Sequence, residues 1–251
     1  MTLAGRTVLV PRGGSWGERA CDLLAERGAT GWVVPLIATR PLRTPQVRDA
    51  LDRLTAGGYD WLVVTSAATV GVLDGSGEVQ AKVAAVGPAT ASALEAAGFA
   101  VDLVPESDFS AEGLLHAWQL AGIEAVARGT SVIPAPSRVL VLHSELARDT
   151  VADGLSERGH WVDSVVGYRV EELTVDEATA ADLAAGRADA ALVTSGSVAR
   201  SLARFDLPAA MTIACLGPVT AQDAAAVGLR ADVVAPERTI EALIRALEDV
   251  S

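Results

Sequence analysis

Short runs of β-branched and aliphatic residues, four to six long, alternate along this chain with stretches whose apolar positions recur at helical spacing. Thr7–Val10 predicts a strand, followed by a glycine-rich turn and a helix from about Trp16 to Arg27. Gly28 ends that helix, and Gly31–Val34 supplies the next strand. Trp61–Thr65, Val83–Val86 and Val101–Val104 continue the series, with helices near Ala68–Leu73 and Ala89–Ala97. Arg138–Leu142, Trp161–Val166, Ala190–Thr194, Thr212–Leu216 and Asp232–Ala235 repeat it. Apolar strands this short, separated by helices, imply βαβ units and mainly parallel sheet. Two sets of five predict two flavodoxin-like, doubly wound α/β domains.

The two sets are copies. Val8-Leu9-Val10 returns as Val139-Leu140-Val141, and Leu24-Ala25-Glu26-Arg27-Gly28 as Leu155-Ser156-Glu157-Arg158-Gly159. Val64-Thr65-Ser66-Ala67 returns as Val193-Thr194-Ser195-Gly196, and Val86-Gly87-Pro88-Ala89-Thr90-Ala91 as Leu216-Gly217-Pro218-Val219-Thr220-Ala221. Gly98 and Asp102 recur at Gly228 and Asp232, and Gly57-Gly58 and Gly186-Arg187 each precede an Asp and an apolar strand. Offsets of 129 to 131 mark a repeated domain; solenoid units have periods of roughly 20 to 50 residues. Small-molecule sites gather in the cleft between two such domains. Periodicity alone divides the chain into sequential halves. Segment 126–137, with Gly129, Pro134 and Pro136, has no counterpart and reads as a mobile connection. Pro35–Pro41 and Val166–Glu172 follow the second strand of each copy and read as extended connectors.

Composition narrows the class. The 251 residues are 50% hydrophobic and only 4% aromatic, so two cores built from Ala, Val and Leu are affordable. Lys82 is the single lysine in a chain whose other cations are arginines, a bias that looks genomic. The net charge of −12 argues against nucleic-acid binding, which needs a basic surface. An anionic small ligand stays allowed, since a local field can oppose the global one. Cys21 and Cys215 have no metal or CxxC spacing and read as buried free thiols of a reducing compartment. No apolar run reaches the roughly 18 to 20 residues of a membrane span. The start of the chain has no charged n-region with a long apolar stretch behind it. A soluble, cytoplasmic protein is expected.

Two duplicated motifs carry the candidate chemistry. Val-Thr-Ser ends a strand and runs into a helix that Ser66 or Ser195 can cap; Gly-Pro-x-Thr-Ala ends another and opens a helix at Pro88 or Pro218. Both leave backbone N–H groups and a hydroxyl at the carboxyl edge of a parallel sheet, where carboxylates and phosphates bind well. Capping alone explains a single copy, whereas four such ends point to a polyanionic ligand bridging the domains. Arg12 lies where a cation can meet that ligand, and reads equally as a surface arginine; His143-Ser144 occupies the matching place in the second copy. His116 and His160 read as structural, and Glu171-Glu172 as a solvated connector. Tyr168, one of two tyrosines, lies on a connector where a cleft is expected. No metal spacing, nucleotide fingerprint or nucleophile elbow is present, so no cofactor is expected.

From end to end the chain resembles the uroporphyrinogen-III synthase family. The resemblance is carried by Val8-Leu9-Val10-Pro11-Arg12, Val64-Thr65-Ser66-Ala67, Val86-Gly87-Pro88, Tyr168 after Val165-Val166, Val193-Thr194-Ser195-Gly196-Ser197-Val198 and Gly217-Pro218-Val219-Thr220-Ala221. It implies intertwined domains: residues 1–36 with 172–251, residues 41–165, and hinge connectors at 37–40 and 166–171. It further implies cofactor-independent, dehydrative cyclisation of hydroxymethylbilane with inversion of ring D, in a monomer that takes its substrate from hydroxymethylbilane synthase. Tyr168, assisted by Thr220, would act on the departing hydroxyl. Arg12, Thr65, Ser66, Gly87, Ser144, Thr194, Ser195, Gly196, Ser197 and Gly217 would hold the eight carboxylates. The chain departs from the family at His143, where arginine is frequent, and at Gly13, where proline is. Two similar α/β domains joined by paired connectors also describe non-catalytic proteins that bind or sense a small acidic metabolite. A signal peptide or an attached DNA-binding segment would favour that alternative.

Overall fold

The computed structural model describes residues 3–127 and 136–250, so most of segment 126–137 lies outside the described residues. In order the elements are β1 (Thr7–Val10), α1 (Gly14–Ala25), β2 (Thr30–Val33), β3 (Ile37–Pro41), α2 (Pro45–Thr55), β4 (Trp61–Val64), a 3₁₀ helix (Ala67–Val72), β5 (Lys82–Ala85), α3 (Pro88–Ala96) and α4 (Ala111–Ala127). There follow β6 (Arg138–Ser144), α5 (Thr150–Glu157), β7 (Trp161–Glu172), α6 (Glu177–Ala184), β8 (Ala190–Val193), α7 (Gly196–Leu202), β9 (Thr212–Cys215), α8 (Pro218–Ala226), β10 (Val233–Val234) and α9 (Ile240–Val250).

The chain forms two compact units: unit 1 is Met1–Ala38 with Glu171–Ser251, and unit 2 is Thr39–Val170. Unit 1 holds a five-stranded parallel sheet in the order β10-β9-β8-β1-β2. Counted along the unit's own strands this is 2-1-3-4-5, the flavodoxin-like order. The sheet of unit 2 runs β3-β7-β6-β4-β5, its last four strands parallel. With β6 taken as the first strand, β7-β6-β4-β5 follows the same winding. The chain passes between the units in β3 and β7, hydrogen-bonded neighbours whose ends are tied by Leu173 N–H to the Leu36 carbonyl at 2.8 Å and Leu42 N–H to the Gly167 carbonyl at 2.7 Å.

Why the strands are apolar throughout follows from their covering on both faces. In unit 1, Val8 and Val10 join Leu23, Leu24, Leu243 and Leu247 of α1 and α9. Leu9 points the other way, to Val198 and Leu202 of α7 and Ala224 of α8. Unit 2 repeats the alternation: Leu140 and Leu142 pack with Val47 and Leu54 of α2, whereas Val139 and Val141 pack with Leu114 and Trp118 of α4. Gly28 and Gly159 turn the chain after α1 and α5 at φ +72° and +85°, a conformation that glycine alone adopts without penalty.

Carboxylates copied between the repeats tie neighbouring strands together. The Asp102 Oδ2 accepts from Val83 N–H at 2.8 Å and the Asp232 Oδ2 from Ile213 N–H at 2.9 Å. Asp60 and Asp189, which follow the matched glycine turns, likewise accept from Arg138 N–H at 2.7 Å and Thr7 N–H at 2.8 Å. Asp102 also explains a departure from expectation. Val101–Val104 forms no strand but a single bridge between Leu103 and Ala84. The Asp102 side chain occupies one donor of the neighbouring strand, and Pro105 follows two residues after Leu103. Of the two cysteines, Cys215 is buried but Cys21 is only half-buried, correcting the expectation for the latter. Burial pushes the Cys215 thiol up to about 11, with nearby Asp232 adding to the rise.

Candidate active site

In doubly wound sheets the connections leave to opposite faces at a switch point, and ligands bind outside the carboxyl ends of the strands there. In unit 1 the switch lies between β1 and β8, whose ends carry Arg12 on one side and Thr194-Ser195 on the other. In unit 2 it lies between β6 and β4, whose ends carry Ser144 and Thr65-Ser66. The fold thus assembles at these two edges residues that lie far apart in sequence.

The helix starts are built as their motifs imply. Ser195 Oγ accepts from Val198 N–H at 3.3 Å and Ser66 Oγ from Ala68 N–H at 3.2 Å. Each serine keeps its own O–H to donate. Pro88 and Pro218 open α3 and α8 behind the glycine caps Gly87 and Gly217, which carry no side chain to satisfy the first turn. The hydroxyls nearby are underused. Thr194 Oγ1 is fully buried and has no hydrogen-bond partner among the described residues, whereas its counterpart Thr65 Oγ1 donates to the Leu142 carbonyl at 3.4 Å. Thr220, in the first turn of α8, is 8% exposed and its hydroxyl has no partner among the described residues. A buried hydroxyl left without a partner costs on the order of 1–3 kcal/mol, so Thr194 carries strain that a ligand can relieve.

Other candidates sit among protein partners. Arg12 lies over the Trp16 ring, 5.3 Å from its centroid, a cation–π contact at the end of β1. Ser197 Oγ accepts from Arg200 Nη2 at 3.1 Å, which adds a cation beside the start of α7. Gly196 is crowded by Asp223 of α8: an added Cβ would lie 2.5 Å from the Asp223 Oδ2. That carboxylate sets a negative charge against Gly196.

Tyr168 owes its position to a bulge. Along β6 and β7 the partners run His143 with Val166 and then Ser144 with Tyr168, leaving Gly167 as an extra residue. Such an insertion re-aims the side chain that follows it, and bulges concentrate near active sites. Ser144 and Tyr168 therefore stand side by side, and the Tyr168 carbonyl accepts from Glu145 N–H at 3.0 Å. The ring is 7% exposed and packs with Leu142 and Val72, while its hydroxyl has no partner among the described residues. A glycine inside an apolar strand run was the available signal for this bulge.

His143 is turned inward. Its Nδ1–H donates to the Ser144 carbonyl at 2.9 Å and its Nε2 meets the Ser164 hydroxyl at 2.8 Å, so both nitrogens are engaged within the protein. A cavity of about 530 Å³ beside it is lined by Glu145, Asp149 and Asp153, a negative wall that repels carboxylates. Among the described residues there is no group of three or more His, Cys, Asp or Glu side chains able to hold a metal, and no helix long and apolar enough to cross a membrane.

One contact was not anticipated from sequence. The residue just before the cap of α4 in unit 2, and of α9 in unit 1, packs on the glycine cap of the preceding helix. In unit 2 Phe109 precedes the α4 cap Ser110, and its Cβ lies 3.0 Å from where a Gly87 Cβ would be. In unit 1 Arg238 precedes the α9 cap Thr239, and its Cγ lies 3.5 Å from the same point on Gly217.

Fold and strand edges define a two-unit, doubly wound α/β protein interleaved through a pair of strands. The chain belongs to the uroporphyrinogen-III synthase HemD family, whose sequence profile matches residues 18–245. It is accordingly a cyclising lyase of heme biosynthesis. Two solved structures share the fold. A mutant uroporphyrinogen III synthase from the extremely thermophilic bacterium Thermus thermophilus is 19% identical, with 98% of each chain covered and a TM-score of 0.57. Uroporphyrinogen-III synthetase from Helicobacter pylori is 16% identical, covering 98% of this chain and 99% of that one, with a TM-score of 0.64. No curated protein matches the chain. Nothing in these likenesses favours a non-catalytic binding protein.

Proposed function

We propose that the carboxyl edges of the two sheets are the working surface of this synthase, with Tyr168 acting on the leaving group. The reaction cyclises hydroxymethylbilane to uroporphyrinogen III with loss of water. Loss of the hydroxymethyl oxygen leaves an azafulvenium cation, which the substituted carbon of ring D attacks. The spiro intermediate then fragments and recloses with ring D inverted. Tyr168 donates its O–H hydrogen bond to the departing hydroxyl, and Thr220 assists. The observation that carries this assignment is the Gly167 bulge, which sets an unpartnered phenol beside Ser144 at the edge of unit 2.

The remaining hydroxyls and amides hold acetate and propionate groups: Ser144, Thr65, Ser66 and Gly87 in unit 2, and Arg12, Thr194, Ser195, Gly196, Ser197 and Gly217 in unit 1. Backbone N–H groups and helix dipoles let a chain of net charge −12 hold a polyanion locally. Rate enhancement comes mainly from geometry, which favours spiro attack over direct closure. We also infer a cytoplasmic monomer that receives its substrate from hydroxymethylbilane synthase, because hydroxymethylbilane left free closes unaided to isomer I. The test is incubation with freshly prepared hydroxymethylbilane, oxidation and separation of the porphyrin isomers. Isomer III should dominate; isomer I alone at the spontaneous rate would refute the reading.

A further inference from the structure

We propose that Arg238 is a substrate-carboxylate receptor at the start of α8, a contact that unit 2 replaces with Phe109. The inference rests on the synthase reading above and extends it to a residue outside the duplicated motifs. α8 is nine residues long and opens on Gly217 and Pro218, so its first-turn amides have no capping side chain. Thr220, more than nine-tenths buried, brings an unpartnered hydroxyl to the same turn. Side chains of a helix lean toward its amino end, the end at which Gly217 stands. Arg238 lays its stem against Gly217, is exposed, and has no carboxylate partner among the described residues. The Arg238 stem and the open amides meet at the start of α8, and a guanidinium with backbone N–H groups is a donor set that a carboxylate takes.

Unit 2 supplies the contrast within the same molecule. Gly87, Pro88 and Thr90 reproduce the α8 start, yet the residue on the glycine is an aromatic ring 41% exposed. Phe109 offers a pyrrole an apolar face and offers a carboxylate nothing. Arg238 and Phe109 thereby make two copies of one helix start unequal, one adding a guanidinium beside its amides and the other an apolar ring.

The experiment compares wild type with Arg238→Gln, Arg238→Lys and Arg230→Gln in steady-state assays of hydroxymethylbilane cyclisation, with isomers separated and thermal melts recorded. Arg230 is the control, an arginine of the same unit with its side chain 89% exposed. Arg238→Gln should raise KM about tenfold, equivalent to ~1.4 kcal/mol, with kcat within about twofold and an unchanged melt. Arg238→Lys should recover most of that loss, and Arg230→Gln should match wild type. An unchanged KM in Arg238→Gln, or an equal rise in Arg230→Gln, overturns the inference while leaving isomer III formation intact. A wild type that makes only isomer I removes the reading beneath it, and the inference falls too.

Discussion

Tyr168 stands opposite Ser144 on neighbouring strands because Gly167 is inserted between the partners of His143 and Ser144. Side chains of a strand alternate faces, so one extra residue reverses the face on which every later side chain emerges. Without it the phenol would leave the apolar group it shares with Leu142 and Val72. The position of the one tyrosine assigned to the chemistry thus depends on a residue that has no side chain.

Gly167→Ala tests that dependence. An added Cβ would lie 3.1 Å from Val72 Cγ2, closer than ordinary packing allows. Overpacking of this kind costs about 1–3 kcal/mol. Urea unfolding should show a loss in that range, and kcat should fall as Tyr168 moves. A variant with native stability and native kcat would show that the bulge tolerates a side chain and does not set the phenol.

Thr194→Val separates stability from function. The wild-type hydroxyl is buried without a partner, so an isosteric methyl should leave the melting temperature equal or higher. If Thr194 receives a substrate carboxylate, KM should rise severalfold in the same variant. Lower stability with unchanged KM would make Thr194 a structural residue.

Much of the fold was legible because each unit is wound from strands buried on both faces, and the repeat displays each one twice. Ser66, Ser195, Pro88 and Pro218 open helices where their motifs place them. Similarity between copies says nothing, however, about which strands share a sheet. The periodicity alone implied sequential halves, whereas β1 and β2 pair in one sheet with β8, β9 and β10. Side-chain direction was equally hidden: His143 occupies the place that matches Arg12 in the repeat, and its two ring nitrogens are both engaged inside unit 2. Arg238 and Phe109 escaped notice because their equivalence lies in what they pack against, the glycine caps, and not in any shared residue type.

His160 makes unit 2 sensitive to acid. Its ring is 8% exposed and its Nε2 accepts from the Trp118 indole N–H at 3.2 Å. Burial, with nearby Arg158 as a lesser cause, holds its pKa below the ordinary value of 6.5. The unfolded chain therefore binds a proton that the folded chain resists. This contribution to stability is complete above about pH 6.5 and is lost as pH falls through the folded-state pKa. Unfolding free energies measured from pH 7.5 to 5 should decline more steeply in wild type than in His160→Gln. Parallel curves would show that the ring titrates alike in both states.

The most direct measurement is single-turnover cyclisation by Tyr168→Phe, with the rate of bilane loss and the isomer ratio read together. Removing one hydroxyl that acts on the leaving group should lower the rate on the order of a hundredfold. Isomer I should grow in the product as spontaneous closure competes, while the melting temperature stays close to wild type. A Tyr168→Phe enzyme with the wild-type rate and isomer III alone would contradict the role given to the phenol, and with it the reading of the Gly167 bulge as the device that places it.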